Sequence, residues 1–256
     1  MIIAGYVLAI LVGLSLGLLG GGGSILTVPI LNYVMGMEAQ EAIASSLVIV
    51  ALTSLVALLP HWRGKRVSFR IGLPFGVASM LGAFLGGWTA QFVPGVALMV
   101  FFAAIMLATS INMIRGGQRT DPDHPPRPQV WVSLVIGAAV GAVTGLVGAG
   151  GGFLIVPALV LFAGLPMHLA IGTSLLTIVL KNFAALSGHI LAVTINWPVT
   201  LVFTALAILG SLIGAKLTER ISPQALRTGF GWFVLAMGIF VLGTELATLL
   251  YYGAVE

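Results

Sequence analysis

The chain has 256 residues, of which 59% are hydrophobic and only 7% are charged. Soluble domains carry roughly 25% charged residues, so this composition excludes a protein whose whole surface faces water. The absence of cysteine excludes disulfides, iron–sulfur clusters and thiol catalysis. The net charge of +4 does not indicate nucleic-acid binding, because the basic residues lie between apolar stretches, as in the cytoplasmic loops of membrane proteins. The sequence therefore predicts an all-α integral membrane protein.

Apolar stretches long enough to enter a membrane follow one another along the chain. The first begins at the N-terminus without a preceding basic region, so we interpret it as a membrane segment and not as a removed signal peptide. A polar linker at residues 115–129, with four prolines, separates residues 1–114 from residues 130–256. The stretches cover residues 2–36, 40–60, 70–90, 94–114, 130–165, 169–192, 197–216 and 228–252.

The two halves share a sequence pattern at an offset of 128 residues, the difference between positions 148 and 20. A glycine cluster at residues 20–23 matches a second cluster at residues 148–152. In the same register, Pro29 matches Pro157 and His61 matches His189. Apolar residues match by chance, but glycine, proline, serine and histidine do not hold one register so readily. The halves are therefore internal repeats.

The basic residues change places between equivalent loops of the two repeats. By the positive-inside rule, equivalent loops then lie on opposite faces of the membrane, which predicts inverted repeats. The first repeat carries Arg63, Lys65, Arg66 and Arg70 after its second apolar stretch, where the second repeat has no lysine or arginine from His189 to Trp197. The second repeat carries Lys216, Arg220 and Arg227, where the equivalent residues 91–95 have none.

Inversion requires an odd number of crossings in each repeat. We therefore expect each repeat to consist of a glycine-broken, re-entrant-type helical hairpin and three transmembrane helices. This topology places residues 115–129 in the cytoplasm and both termini outside, in a multi-pass protein of the cell (inner or plasma) membrane. A parallel repeat with eight simple spans is the alternative that the sequence leaves open.

The glycine clusters predict helices that begin inside the membrane. Such a helix offers free backbone N–H groups and the positive end of its dipole, an arrangement that binds anions. The first cluster lacks the lysine of a nucleotide-binding loop. Simple helix packing is the alternative, as expected for the spaced pairs Gly82/Gly86 and Gly210/Gly214. The candidate substrate-binding residues here are Gly21, Gly22, Gly23, Ser24, Gly150, Gly151 and Gly152.

Polar residues inside the apolar stretches add further candidates. Ser45 and Ser46 match Thr173 and Ser174 across the repeat, and hydroxyls of this kind either line a site or bond to the preceding helical turn. Lys181 and Asn182 lie near the middle of a stretch. A lysine there is costly unless it faces water or a partner, so we interpret it as binding an anion, with snorkelling as the alternative.

The matched residues His61 and His189 stand where their stretches end, and either a structural role or proton coupling is compatible with that position. The sequence presents no paired carboxylates, no histidine-rich metal spacing and no nucleophile–base set. We therefore expect no enzymatic activity, no metal and no cofactor.

The doubled motif resembles that of the TauE/SafE family of sulfite and organosulfonate exporters. The resemblance rests on residues 20–29 and 148–157, both ending in Val-Pro, and on residues 172–175, His189 with Asn196 and Trp197, and Gly210 with Gly214. It implies a multi-pass transporter of small sulfur-containing anions and carries over the glycine clusters and the hydroxyl pairs as site residues. Lys181 and Asn182 have no place in that pattern.

The functional hypothesis is a secondary transporter, an exporter of small sulfur-containing or organic anions such as sulfite and sulfonates. The anion would bind at mid-membrane between the two broken helices, and alternating access would follow from rocking of the repeats. A passive anion channel and a non-transporting scaffold are the alternatives. The expected partners are the anion and the lipid bilayer, with a coupling proton or sodium ion and the oligomeric state left open.

Overall fold

A computed structural model describes residues 2–90, 92, 95–115, 130–147, 152–189 and 195–253. Within these ranges all regular secondary structure is helical, which confirms the all-α fold class. The helices, in chain order, are α1 (Ile2–Leu19), α2 (Gly22–Pro29), α3 (Ala39–Arg63), α4 (Phe69–Ala90), α5 (Gly95–Ile114), α6 (Val130–Val147), α7 (Gly152–Leu161), α8 (Met167–His189), α9 (Trp197–Arg220) and α10 (Pro223–Gly253).

Five helices are long and apolar enough to cross a membrane within the described ranges, namely α3, α4, α8, α9 and α10. Their spanning windows are Gln40–Arg63, Phe69–Gly86, Met167–Leu186, Trp197–Arg220 and Pro223–Gly243. An integral membrane protein is confirmed by this set. Residues 116–129 of the predicted cytoplasmic linker lie outside the described residues, so the linker stays a prediction.

The first glycine cluster interrupts a helix where the sequence predicts it, and residues 148–151 of the second cluster lie outside the described residues. The first separates α1 from α2, and α2 continues after Pro29 as a π-helical segment, Ile30–Val34. The second separates α6 from α7. Gly5 of α1 faces Met35 at the end of this segment, so α2 and its extension fold back along α1 as a hairpin.

The two repeats pack through two equivalent helix pairs, each of which joins one helix of the first repeat to one of the second. Helix α6 of the second repeat lies along α4 of the first, and α1 of the first lies along α9 of the second. A methyl group on Gly141 would overlap the Ser79 carbonyl oxygen, and one on Gly13 would overlap that of Ala207, the residues related by the offset of 128. The spaced glycines are therefore packing residues, as expected of small residues at membrane helix contacts.

These contacts also fix relative helix directions. Along α4 and α6 the contacts advance together, so these helices run parallel. Helix α8 runs parallel to α4 in the same way. The contacting pairs are Phe75 with Gly137, Ser79 with Gly141 and Ala83 with Gly145 for α6, and Gly72 with Thr173 and Gly76 with Leu180 for α8.

Candidate functional site

The first helix break lies at residues 20 and 21. Gly20 has a φ of +73°, a left-handed conformation that a side chain would strain. Helix α2 then begins at Gly22, and its preceding residue, Gly21, provides no side-chain cap. Gly22, Gly23 and Ser24 are all buried. The Ser24 amide donates to the Gly21 carbonyl oxygen at 3.3 Å. The Gly22 and Gly23 amides precede the first bond of the helix, and no side chain caps them.

The second broken helix begins against the first. Gly150 and Gly151 lie outside the described residues, but Gly152, the first residue of α7, is described. A Cβ atom on Gly21 would overlap the Gly152 carbonyl oxygen and lie 3.1 Å from Phe153 Cα. A Cβ on Gly152 would lie 2.7 Å from Ser24 Oγ. The structure thus brings Gly21, Ser24 and Gly152 together at one contact between the repeats.

Two predicted hydroxyls bond to the carbonyls of the break. Ser24 Oγ donates to the Gly21 carbonyl oxygen at 2.7 Å. Ser174 Oγ lies 2.8 Å from the Gly20 carbonyl oxygen and 2.7 Å from that of Ile171 in its own helix. Ser174 belongs to α8 of the other repeat, so it joins the site to the second half of the chain.

The other predicted hydroxyls lie in helix contacts. Thr173 Oγ1 accepts a hydrogen bond from the Ser68 amide at 3.0 Å, where the turn after α3 crosses the start of α8. Ser45 Oγ accepts from Thr200 Oγ1 of α9 at 3.1 Å. Ser46 Oγ donates to the Ile43 carbonyl of its own helix at 2.7 Å. Their proposed role in binding an anion has no direct support in these contacts.

Lys181 reaches from α8 to the last turns of α6. Its Nζ donates to Thr144 Oγ1 at 2.6 Å, and Thr144 lies four residues before the second glycine cluster. Lys181 forms no ion pair with the described residues. Asn182 beside it is buried, with 3% of its surface exposed. The side chain of Glu245, an acidic residue of α10, lies outside the described residues.

Several buried hydroxyls were not among the candidate site residues that the sequence indicated. Thr53 and Ser54 are fully buried, and neither hydroxyl has a hydrogen-bond partner among the described residues. They stand at the positions that Lys181 and Asn182 occupy in the second repeat, 128 residues on. Ser15 Oγ, also without a described partner, lies 2.7 Å from where a Cβ on Gly22 would be. The repeat offset was the available signal for the first two.

The described residues contain no group of three or more histidines, aspartates or glutamates able to hold a metal ion. A cavity of about 280 Å³ lies between α5, α6 and α7. Its lining is almost wholly apolar and includes Ile105, Thr109, Val143 and Phe162. The cavity therefore does not provide polar groups for an anion, and the contact between α2 and α7 is the candidate site.

Comparison with known proteins agrees with this membrane architecture. The family model described as "Sulfite exporter TauE/SafE" matches residues 6–241. A "Probable membrane transporter protein" of Xylella fastidiosa (strain Temecula1) is 34% identical over 246 residues, covering 93% of this chain and 94% of that protein. The "Probable membrane transporter protein YunE" of Bacillus subtilis is 27% identical, and the match covers 86% of this chain and 91% of that protein. No solved structure matches significantly. The chain belongs to the TauE/SafE family of membrane transporters.

Proposed function

We propose that the protein is a secondary transporter that exports a small sulfur-containing or organic anion, such as sulfite or a sulfonate. The observation that carries the proposal is the start of α2, where buried Gly22 and Gly23 present N–H groups without a side-chain cap. An unpaired polar group in apolar surroundings costs several kcal/mol. An anion held by these amides would remove that cost and be favoured by the helix dipole.

The surroundings of the break support the same interpretation. Helix α7 begins against Gly21, so two helix starts face one small volume. Ser24 adds a hydroxyl beside Gly152, and Lys181 supplies a positive charge that no described acidic residue neutralises. One anion between the two starts would interact with both repeats. Rocking of one repeat against the other then exposes it to either side in turn.

The helix directions support inverted repeats. Gly17 near the end of α1 contacts His61 near the end of α3, so these two helices run in the same direction. Helix α4 follows α3 after a short turn and crosses back. Yet α4 runs parallel to α6, the counterpart of α1. We infer that α1 and α6 cross the membrane in opposite directions.

Inversion also collects the basic residues on one face, which we call the basic face. Apart from Lys181, the described lysines and arginines stand at helix ends or turns that this topology places together. By the positive-inside rule the basic face is cytoplasmic, which leaves both termini outside. These residues are Arg63, Lys65, Arg66, Arg70, Arg115, Lys216, Arg220 and Arg227.

Counterflow of radiolabelled sulfite into proteoliposomes tests the transport proposal. Wild-type protein should accumulate label transiently when unlabelled sulfite is inside, because a carrier exchanges the two pools. A passive channel would equilibrate the label without this overshoot, and a scaffold would leave it outside. Sulfate, thiosulfate, sulfonates and carboxylates as inside competitors would then define the anion class. Absence of counterflow with all of them contradicts the proposal.

Gly152→Ala tests the site itself. The added Cβ would lie 2.7 Å from Ser24 Oγ and 3.0 Å from Ile178 Cδ1, both side-chain atoms that can move slightly. We expect at least tenfold weaker anion affinity with a folded protein. Gly76→Ala is the matched control, since its Cβ would meet Leu180 Cδ1 at 3.0 Å in the contact of α4 with α8, without touching α2 or α7. Equal affinity in the two variants would place the anion elsewhere.

Single cysteines test the inversion, because the natural chain has none. Lys65→Cys and Asn196→Cys lie in the turns before α4 and α9, which are equivalent in the repeat. Inverted repeats predict that a membrane-impermeant maleimide labels only Asn196→Cys in intact cells. Parallel repeats predict the same labelling for both. Lys216→Cys should behave like Lys65→Cys if the basic face is cytoplasmic.

A further inference from the structure

The end of α1 is held by two side chains from other helices. The last helical bond of α1 runs from the Gly20 amide to the Leu16 carbonyl, at 2.8 Å, so the following carbonyls need other donors. His61 Nε2 of α3 lies 3.2 Å from the Gly17 carbonyl oxygen. Thr218 Oγ1 of α9 lies 3.3 Å from those of Gly17 and Leu18 and 3.0 Å from that of Gly214 in its own helix, so these oxygens share its one hydrogen. His61 and Thr218 therefore cap α1 directly before the helix break.

The His61 ring has one nitrogen in use and one free. A carbonyl oxygen can only accept, so Nε2 carries the hydrogen in this arrangement. The residue is fully buried, and Nδ1 has no hydrogen-bond partner among the described residues. Capping of α1 uses Nε2 alone and does not involve Nδ1. That nitrogen is a position where a proton can be added.

Charged groups surround this ring from three elements. Arg66 faces it from the turn after α3, Glu219 from α9 and His168 from the start of α8. Arg66 Nη2 and Glu219 Oε1 form an ion pair at 2.7 Å. This pair joins the first repeat to the second at the basic face. Helix α1 contributes no charged side chain to the group.

We propose that His61 is the proton-binding site that couples the transport of the anion to a proton gradient, an inference that rests on the proposed function. In the arrangement described here, a proton on Nδ1 would be a buried donor without an acceptor, close to the positive charge of Arg66, which is unfavourable. Parting of Arg66 from Glu219 opens the basic face. Water and the freed carboxylate then stabilise the imidazolium.

Protonation and opening of the basic face are therefore linked, and each favours the other. The imidazolium would also be stabilised by the negative end of the α1 dipole. Gly17, which His61 holds, lies three residues before Gly20 at the break. The proton thus binds next to the anion site.

The test compares exchange with gradient-driven uptake in proteoliposomes containing the full chain. Methanesulfonate is the probe, because its charge does not change between pH 5 and 8, with thiosulfate as a second probe. His61→Gln keeps a donor for the Gly17 carbonyl but cannot titrate. We expect exchange at equal pH to stay within threefold of wild type and accumulation driven by a pH gradient to fall at least tenfold.

Two matched variants separate titration from capping. Thr218→Val removes the other cap of α1, and His168→Gln removes a neighbouring histidine that does not touch Gly17. Both should keep gradient-driven accumulation. Retention of gradient-driven accumulation in His61→Gln, or its equal loss in Thr218→Val, overturns the proton site.

The proton proposal and the transport proposal fail in different ways. Absence of exchange with every probe in wild-type liposomes contradicts transport itself, whereas normal exchange without any response to a pH gradient contradicts only the proton site. If His61→Gln does not fold, an entrapped pH indicator decides with wild-type protein. Proton movement that accompanies the probe supports coupling, and probe movement without it overturns coupling.

Discussion

Removing the charge of Lys181 is the sharpest test of the anion site. Its Nζ bonds to Thr144 Oγ1 at 2.6 Å, and no described acidic residue pairs with it. Lys181 follows Ile178 on α8, and Ile178 lies against Gly152. An anion at Gly152 would therefore lie roughly one helical turn from Lys181. Lys181→Met removes the charge and keeps the length of the side chain.

The expected loss follows from Coulomb's law. With a separation of about 7 Å and an effective dielectric constant of about 20, the attraction is about 2.4 kcal/mol. That value corresponds to about 50-fold weaker anion binding. The Lys181→Met protein should be at least as stable as wild type, because the substitution removes the cost of desolvating a charge that has no opposite partner among the described residues.

Isothermal titration of the purified protein with sulfite gives the dissociation constants. Thr144→Val is the matched control, since it leaves the charge and removes only its hydrogen-bond partner. Polar contacts inside membrane proteins are worth about 0.6 kcal/mol on average, so we expect about threefold weaker binding. A dissociation constant for Lys181→Met within threefold of wild type would refute the reasoning. So would equal losses in both variants.

Three further predictions concern stability, measured by thermal unfolding in detergent. Gly13→Ala and Gly141→Ala should each cost about 1–3 kcal/mol of stability, because each added Cβ would overlap a backbone oxygen. Gly229→Ala should gain up to about 1 kcal/mol, because its Cβ would meet nothing within 4 Å. Equal effects in the three variants would contradict the packing. Thr109→Met should stabilise by about 1 kcal/mol by filling the apolar cavity, and a loss would mean that the space is not free. Glu219→Gln should change stability by less than about 1 kcal/mol, since its side chain is 57% exposed; a larger loss would indicate a buried pair.

The repeat offset was the most productive signal in the sequence. It located both helix breaks, and it related the contact of Gly141 with Ser79 to that of Gly13 with Ala207. Glycines carry this information because their positions are set by backbone approach and breaks, which apolar substitution does not disguise. The all-α membrane fold followed in the same way from composition.

The sequence did not predict which neighbouring groups the individual hydroxyls contact. Ser45 and Thr173 are equivalent residues, but Ser45 bonds to Thr200 of α9 and Thr173 bonds to Ser68 in the turn before α4. Helices that are apolar on every side show no stripe from which a facing direction can be read. The partnership of Lys181 with Thr144 was likewise hidden, because it depends on how α8 packs against α6. Ser174 alone of the four hydroxyls contacts the break.

The hydrogen bonds at the break bear on the proposal that it binds an anion and not a cation. On its carbonyl side, donors from the protein already occupy the oxygens, with His61 on Gly17, Ser174 on Gly20 and Ser24 on Gly21. On its amide side, no side chain caps the start of α2, so the Gly22 and Gly23 amides are left, while the Ser24 amide bonds to the Gly21 carbonyl. A sodium ion would need the carbonyls that the protein has used. An anion needs the amides that it has left, so the α1–α2 break favours an anionic ligand over a metal cation.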